Sequence, residues 1–121
     1  MPETTGPAAG DTVALDPENA KLVVLARSSR ARTGAVEGAA VRDADGRTYA
    51  ASSVDLPSLQ LSALQAAVAA AVSSGVDGLE AAAVVTSTMA VEPAGLAAVR
   101  DLTASAPVLR ADVCGEVVEI V

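Results

Sequence analysis

The sequence predicts a three-layer α/β/α domain with a mixed five-stranded sheet and the element order α-β-β-α-β-α-β-β. Three observations lead to this fold class. A capped helical segment opens the pattern, a hairpin turn at Asp45-Gly46 follows it, and strand-like runs then alternate with alanine-rich helices. Because a hairpin pairs strands antiparallel and a crossover helix joins parallel strands, we expect a mixed sheet.

The first helix and the hairpin are marked by their boundary residues. Asp16 is a suitable N-cap, Pro17 fits the first helical position, and Gly34 lies beyond the end. The segment AVEGAAVRDADGRTYAASSV is then typical of a β-hairpin that turns at its Asp-Gly pair. Gly38 and the neighbouring alanines should let another backbone approach the first strand closely.

The second half of the chain is predicted to hold two helices and three strands. PSLQLSALQAAVAAAVSSG should form a helix from about Pro57 to Gly75, apolar nearly all round and therefore buried on most faces. LEAAAVVTST should form a buried strand and EPAGLAAVRDLTAS a shorter helix. Two short strands, PVLRADV and EVVEIV, follow and are separated by Gly115.

The length of 121 residues predicts a single domain. We expect residues 1–12 to form a flexible N-terminal tail and residues 13–121 to form the domain. The tail, MPETTGPAAGDT, carries acid and proline instead of a basic region before an apolar run, so it does not resemble a signal peptide. The longest apolar stretch, 59–72, is too short to cross a membrane. These features favour a cytoplasmic protein without a membrane partner.

The apolar composition favours self-association. Alanine makes up about a quarter of the chain, Phe and Trp are absent, and Tyr49 is the only aromatic residue. A core of Val, Leu and Ala buries little area per side chain, at about 25 cal/mol per Å². Further burial between subunits would stabilise such a domain, so we expect a homo-oligomer.

The charge argues against nucleic acid as a partner. The formal net charge is −7, with one lysine and seven arginines, and stacking aromatic residues are lacking. Arg27, Arg30 and Arg32 cluster, but cations are favoured near the C-terminus of a helix, and the first predicted helix ends there.

The chain lacks the residues that several common catalytic mechanisms require. There is no histidine, which excludes a Ser-His-Asp triad, and no Walker or dinucleotide-binding motif is present. Cys114 is the only cysteine, so it cannot form a disulfide within the chain, as suits a reducing cytoplasm. It has no neighbouring base, and we expect it to be a small core residue.

Five short motifs lie on the predicted elements. EGAAV lies on the first strand, DGRTY at the hairpin turn, and Ser53-Val54-Asp55 after the hairpin. Ser62-Ala63-Leu64 lies on the central helix, and Pro93-Ala94-Gly95-Leu96-Ala97 lies at the start of the next helix. In this order they resemble the small cytidine deaminases, from about Gly38 to Leu102. The resemblance implies the cytidine-deaminase fold and an oligomer, either a dimer or the tetramer common in that family. The segment between Val54 and Ser62 is about two residues shorter than in the family.

The resemblance also implies where a zinc site would lie. The family holds zinc with Cys or His ligands and moves the proton with a glutamate that is not a ligand. Here Ser62, Ala94 and Ala97 stand at the ligand positions and Leu64 at the position of the glutamate. We therefore expect no zinc, no other cofactor and no deaminase activity. We expect Leu64, Ala94 and Ala97 to fill the former metal site as core.

Three functions remain open at this point. The first is a catalytically inactive protein with a structural or protein-interaction role, whose protein partner is unidentified. The second is a binding module for a nucleoside or small anion in the vestigial pocket. The third, more distant, is a deaminase-type hydrolase of unfamiliar mechanism.

Polar residues bear on the second function. Ser53 and Asp55 occupy the family's ribose-contact positions, and Thr86, Ser87 and Thr88 follow the third predicted strand of the sheet. They could line a polar cleft at two helix N-termini, or they could be ordinary cap and turn residues. A cleft that is open and polar would favour ligand binding, whereas a filled one would favour a structural role.

Overall fold

The computed structural model describes residues 16–121, so the predicted tail at 1–12 lies outside the described residues. The elements are α1 (Pro17–Thr33), β1 (Gly38–Asp43), β2 (Thr48–Ser52), β3 (Val54–Leu56), β4 (Leu59–Leu61), α2 (Ala63–Ser73), β5 (Leu79–Val85), α3 (Pro93–Leu102), β6 (Val108–Ala111) and β7 (Val117–Ile120). None of these helices is long and apolar enough to cross a membrane.

Five strands form a mixed sheet in the order β2-β1-β5-β6-β7. β5 and β6 are parallel and are joined through α3, whereas the other neighbouring pairs are antiparallel. The predicted element order and mixed sheet are therefore confirmed. A second sheet, the small hairpin of β3 and β4, lies between β2 and α2 in the chain and was not predicted.

The sheet separates two apolar cores, which gives the predicted three layers. On β1, Ala39 and Val41 belong to the core under α2 and α3, whereas Ala40 between them belongs to the core under α1. On β5, Val84 and Val85 divide between the two cores in the same way. This alternation follows from the period of two residues in a strand, and it explains why strands buried on both faces read as continuous apolar runs.

The predicted boundaries of α1 and of the hairpin are confirmed. The Asp16 side chain accepts hydrogen bonds from the amides of Glu18 and Asn19, and Gly34 ends the helix with a φ of 68°. In the hairpin, the buried Asp43 carboxylate accepts bonds from the amides of Asp45 and Arg47 and from the hydroxyl of Tyr49. One side chain thus ties the turn to both strands.

The central helix begins later than the sequence predicts. Leu59–Leu61 pairs with Val54–Leu56 as a strand, and α2 begins at Ala63 after the N-cap residue Ser62. The reason is a reciprocal capping box, in which the Ser62 side chain accepts a bond from the Gln65 amide and the Gln65 side chain accepts one from the Ser62 amide. Pro57 therefore lies in the hairpin turn and does not begin a helix.

Cys114 is also not where the sequence predicts it. It is exposed, in the turn between β6 and β7. The Asp112 carboxylate accepts hydrogen bonds from the amides of Cys114 and Glu116 and so organises this turn. The segment around Cys114 is therefore a solvent-facing turn and not part of the core.

The expected close approach at Gly38 is confirmed. A Cβ atom placed on Gly38 would lie 2.0 Å from the Ala26 carbonyl oxygen and 2.7 Å from the Arg30 amide nitrogen, both on the backbone of α1. The backbones of α1 and β1 are therefore in direct contact at this point. Any side chain at position 38 would force α1 to move.

Gly38→Ala should destabilise the domain by about 3 kcal/mol or more, because a backbone oxygen cannot move aside as a side chain can. Gly78→Ala is the matched control, since its new Cβ would meet only the Thr103 hydroxyl at 3.6 Å, an ordinary contact. Urea unfolding of both variants measures the difference. Equal midpoints would contradict the packing described here.

Candidate functional site

An open cleft of about 490 Å³ lies where the N-termini of α2 and α3 meet the loops that flank β1 and β3. Its wall contains ten residues: Val36, Glu37, Ser53, Val54, Asp55, Gln60, Leu61, Ser62, Gln65 and Glu92. Three of the ten are acidic and none is basic. The structure thus brings Ser53, Asp55 and Ser62 to one cleft, which is one of the two arrangements that the sequence leaves open, and adds Glu37 and Glu92.

Glu92 occupies the N-terminus of α3. Its carboxylate accepts hydrogen bonds from the amides of Ala94 at 3.0 Å and Gly95 at 2.7 Å. Burial by itself raises the pKa of Glu92, but these two bonds and the Ser62 hydroxyl outweigh burial and hold the pKa below its ordinary value of 4.5. The positive end of the α3 dipole is therefore neutralised by a charge from the chain itself.

The two helices meet at Gly95. A Cβ atom at this position would lie 2.8 Å from the Leu64 Cβ and 2.8 Å from the Ser62 Oγ. Leu64 is only 1% exposed, as expected for a core residue at this position. The absence of a side chain at Gly95 thus lets the first turns of α2 and α3 pack directly against each other.

Ala94 and Ala97 do not fill a core, and that expectation is corrected. Both are exposed, whereas Gly95 and Val99 are buried. Residues 95 and 99 are four apart and share one face of the helix, so that positions 94 and 97 point away from it. Leu64 and the Glu92 carboxylate, rather than the two alanines, occupy the junction of the helices.

The residues at the family's ligand positions do not fit a zinc ion. Ala94 and Ala97 offer no donor atom, and the Ser62 oxygen already caps α2. Zinc in proteins takes Cys, His or carboxylate ligands, usually four. Within residues 16–121, no three His, Cys, Asp or Glu side chains come together as a possible metal site.

The positions to which the resemblance assigns ribose contact, 53 and 55, are occupied by groups with local partners. The Ser53 hydroxyl accepts a bond from the Glu37 amide at 3.4 Å, and the Ser53 amide donates to the Glu37 carbonyl at 3.0 Å. The Asp55 carboxylate accepts a bond from the Gln60 side chain at 3.3 Å, across the β3–β4 hairpin. Both residues nevertheless line the cleft, where a ligand could reach them.

Thr86, Ser87 and Thr88 are not brought to this cleft. Thr86 is buried, and its hydroxyl lies 3.1 Å from that of Thr88. The Thr88 hydroxyl in turn donates to the Ala90 carbonyl at 2.8 Å. These contacts are those of residues that shape the turn after β5, which was the alternative interpretation of this segment.

Two acidic residues of the cleft were missed by sequence reasoning. Glu92 could have been found, because an acceptor side chain directly before Pro93 fits an N-cap followed by proline at the first helical position. Glu37 gives no such signal, because its bonding partner Ser53 lies sixteen positions away in the chain.

The Glu92 carboxyl should titrate with a midpoint below 4.5, because the amides of α3 favour its charged form. The stability that Glu92 contributes is therefore present above pH 4.5 and is lost as the pH falls through the lowered pKa. Carbon-detected NMR of the side-chain carboxyl measures the midpoint. Ser62→Ala should raise it, and a midpoint at or above 4.5 in the unmodified protein would contradict this geometry.

Comparison with known proteins agrees with this fold. The crystal structure of cytidine deaminase from Burkholderia pseudomallei superposes with a TM-score of 0.74 at 23% identity, covering 84% of this chain and 89% of that one. The comparison with curated proteins finds no match. The family model described as cytidine deaminase-like matches residues 15–115. Since this match spans most of the 121 residues, the chain belongs to the cytidine deaminase-like family.

Proposed function

We propose that this chain is a catalytically inactive member of its family with a structural or protein-interaction role. One observation carries the proposal. The four positions that match the family's zinc ligands and proton-shuttling glutamate hold Ser62, Leu64, Ala94 and Ala97, and the only oxygen among these side chains already caps a helix. A buried leucine cannot accept or release a proton, so a deaminase-type reaction lacks both of its essential groups.

Surface chemistry supports a protein-interaction role. Leu56, Leu59, Val72 and Val118 are each about half exposed, on the β3–β4 hairpin, on α2 and on β7. Apolar side chains at such sites gain free energy when another protein covers them. The acidic composition makes nucleic acid an unsuitable partner, and the single cysteine is consistent with a cytoplasmic protein.

Ligand binding in the cleft is the second candidate, because the cleft is open and seven of the ten residues that line it are polar or charged. Its charge decides between the ligands considered so far. Three carboxylates and no basic side chain line it, which disfavours a small anion and leaves an uncharged nucleoside as the family-like ligand. A hydrolase of unfamiliar mechanism remains the more distant candidate.

The purified full chain should contain no stoichiometric zinc and should release no ammonia from cytidine or deoxycytidine. Elemental analysis and an ammonia assay measure this, with an active zinc-containing deaminase assayed in parallel. About one tightly held zinc per chain, or activity that persists on repurification and is lost in a cleft variant, would refute inactivity. A pull-down from the native cell, with mass spectrometry of proteins and small molecules, then distinguishes an interaction role from ligand binding.

We also propose that the chain forms a homo-oligomer, either a dimer or a tetramer. A core built from Val, Leu and Ala, with Val72 48% exposed on the central helix, leaves apolar area for a second copy to cover. Light scattering at micromolar concentration should give a multiple of 11.9 kDa. A clean monomer mass across a concentration series would contradict the oligomer.

A further inference from the structure

We propose that the outer edge of β7 is a self-association surface, and that β7 of a second copy pairs with it antiparallel around a two-fold axis at Glu119. The inference rests on the proposed homo-oligomer and locates its interface, but it does not depend on the inactivity of the chain. A second copy is the occupant because the exposed strand is complementary to its own sequence when the two are placed antiparallel.

β7 is an edge strand with free backbone groups. It lies last in the sheet order, and within the described part of the chain only β6 pairs with it. Val108 of β6 and Val121 exchange two backbone hydrogen bonds. Because bonded and non-bonded positions alternate in an antiparallel pair, the N–H and C=O groups of Ile120 and Val118 point away from β6. They are available to another strand.

The side chains at this edge are apolar and exposed. Val118 is 52% exposed, and Ile120 and Val121 are each 40% exposed, whereas Val117 packs partly against the core under α1. Ile120 lies opposite Leu109, which belongs to that same core. Val118 and Ile120 therefore form an apolar row on the α1 side of the sheet, which another strand would cover.

The edge carries few of the features that keep edge strands apart. Lysine, proline, unpaired charges and bulges commonly protect such edges. Residues 117–120, VVEI, contain neither lysine nor proline, and the Glu119 carboxylate is paired with the Arg110 guanidinium at 2.7 Å. The shift of register between Arg110 and Ala111 affects only the start of β7. The remainder of the strand is regular and can accept a partner.

The strand is complementary to itself around Glu119. When two copies pair antiparallel with this residue at the axis, Val118 of each chain lies opposite Ile120 of the partner subunit, as a hydrogen-bonded pair that uses the free groups of both. The two apolar rows then form one continuous row. Registers centred on Val118 or on Ile120 would instead place a glutamate opposite an apolar side chain.

The charge at the axis is compensated by groups already in place. The two Glu119 carboxylates would lie opposite each other, and like charges in that position destabilise a pair of strands. Each carboxylate, however, accepts a hydrogen bond from the Nε of its own Arg110, and Arg110 also donates to the Thr88 carbonyl at 3.0 Å. The axis thus holds two guanidinium groups and two carboxylates and is neutral.

The other edge of the sheet lacks this match. β2 reads TYAAS, and Thr48 and Ala50 are exposed. The Ser52 hydroxyl accepts a bond from the Thr33 hydroxyl of α1 at 2.9 Å. Small or polar side chains gain little free energy when they are covered, so β2 favours no second copy and provides a control position at Ala50.

The available area sets the expected strength. A strand of four residues covers less than the roughly 800 Å² per partner of a standard interface. A notch of about 170 Å³, whose wall includes Val23, Val24 and Val117, opens at the start of the same strand and adds apolar surface. We therefore expect a weak dimer whose formation depends on concentration.

The first test is analytical ultracentrifugation of the full chain over a concentration series, at about 0.15 M NaCl to screen the net charge. Val118→Lys should raise the dissociation constant about 10-fold or more, because a lysine opposite an apolar side chain opposes pairing. Ala50→Lys makes the same kind of change at an exposed position of β2 and should leave the constant unchanged. Ile120→Lys repeats the test if Val118→Lys fails to fold, with circular dichroism as the check of folding.

The second test reads the register directly. The backbone groups of residue 119 face β6, so position 119 forms a non-hydrogen-bonded pair with its copy, with Cα atoms about 4.5 Å apart. That separation allows a disulfide. Glu119→Cys in a Cys114→Ser background should therefore link two chains when diamide oxidises the two thiols and is itself reduced to the hydrazine. Ala50→Cys in the same background should remain unlinked on a denaturing gel.

The outcomes distinguish this interface from the proposed homo-oligomer. Association that survives both β7 lysine variants but is lost in Val72→Lys overturns the β7 interface and leaves the homo-oligomer standing. A monomer at every concentration overturns both, and loss of a captured protein from Val118→Lys would then assign the edge to a different partner. Equal weakening by Ala50→Lys, or failure of Glu119→Cys to cross-link, also overturns the proposed pairing.

Discussion

The N-termini of α2 and α3 converge on a single point, and the chain supplies its own charge to hold them there. Two helix dipoles that point their positive ends at one place repel each other unless an anion or a set of acceptors lies between them. Here the Glu92 carboxylate bonds to the amides of Ala94 and Gly95, while the side chains of Ser62 and Gln65 cap α2. The junction is therefore satisfied by hydrogen bonds within the chain, without a requirement for a bound ion.

The contact at this junction depends on small residues. Gly95 allows Leu64 and Ser62 to lie against the first turn of α3, and Gly38 allows α1 to lie against β1 on the other face of the sheet. The layers are separated by small side chains at positions where many domains have larger ones. Examples are Ala39, Ala40, Ala82 and Ala83. Thin layers bring the backbones close, but each contact buries little apolar area. This trade-off connects the alanine-rich composition with the proposed self-association.

The cleft above the junction differs electrostatically from an anion-binding site at helix N-termini. Of its three carboxylates, Glu92 is bonded to helix amides and Asp55 to Gln60, and Glu37 lines the same open cleft. The helix ends thus contribute little free positive potential, and the remaining charge is negative. A cleft with this charge is poorly suited to the phosphate groups that helix N-termini commonly bind.

The sequence by itself determined the class of fold and many of the boundaries of its helices and turns, because the signals involved are local. Asp16, Gly34 and the Asp45-Gly46 pair mark their boundaries through hydrogen bonds and backbone angles that reach only a few residues. The lack of histidine and of paired cysteines, and the residues at positions 62, 64, 94 and 97, are likewise read directly from the chain. These facts suffice to propose an inactive deaminase-like domain.

Tertiary structure decided what depends on contacts between distant segments. The start of α2 at Ala63 required pairing of Leu59–Leu61 with Val54–Leu56, which competes with the helical propensity of the same residues. The exposure of Ala94 and Ala97 followed from the rotation of α3 that places Gly95 against Leu64. The placement of Glu37 beside the cleft followed from its two backbone bonds to Ser53, sixteen positions away in the chain. The capping box of Ser62 and Gln65 is a local signal for the start of α2, whereas no local pattern encodes the rotation of α3 or the placement of Glu37, because these are set by which surfaces pack together.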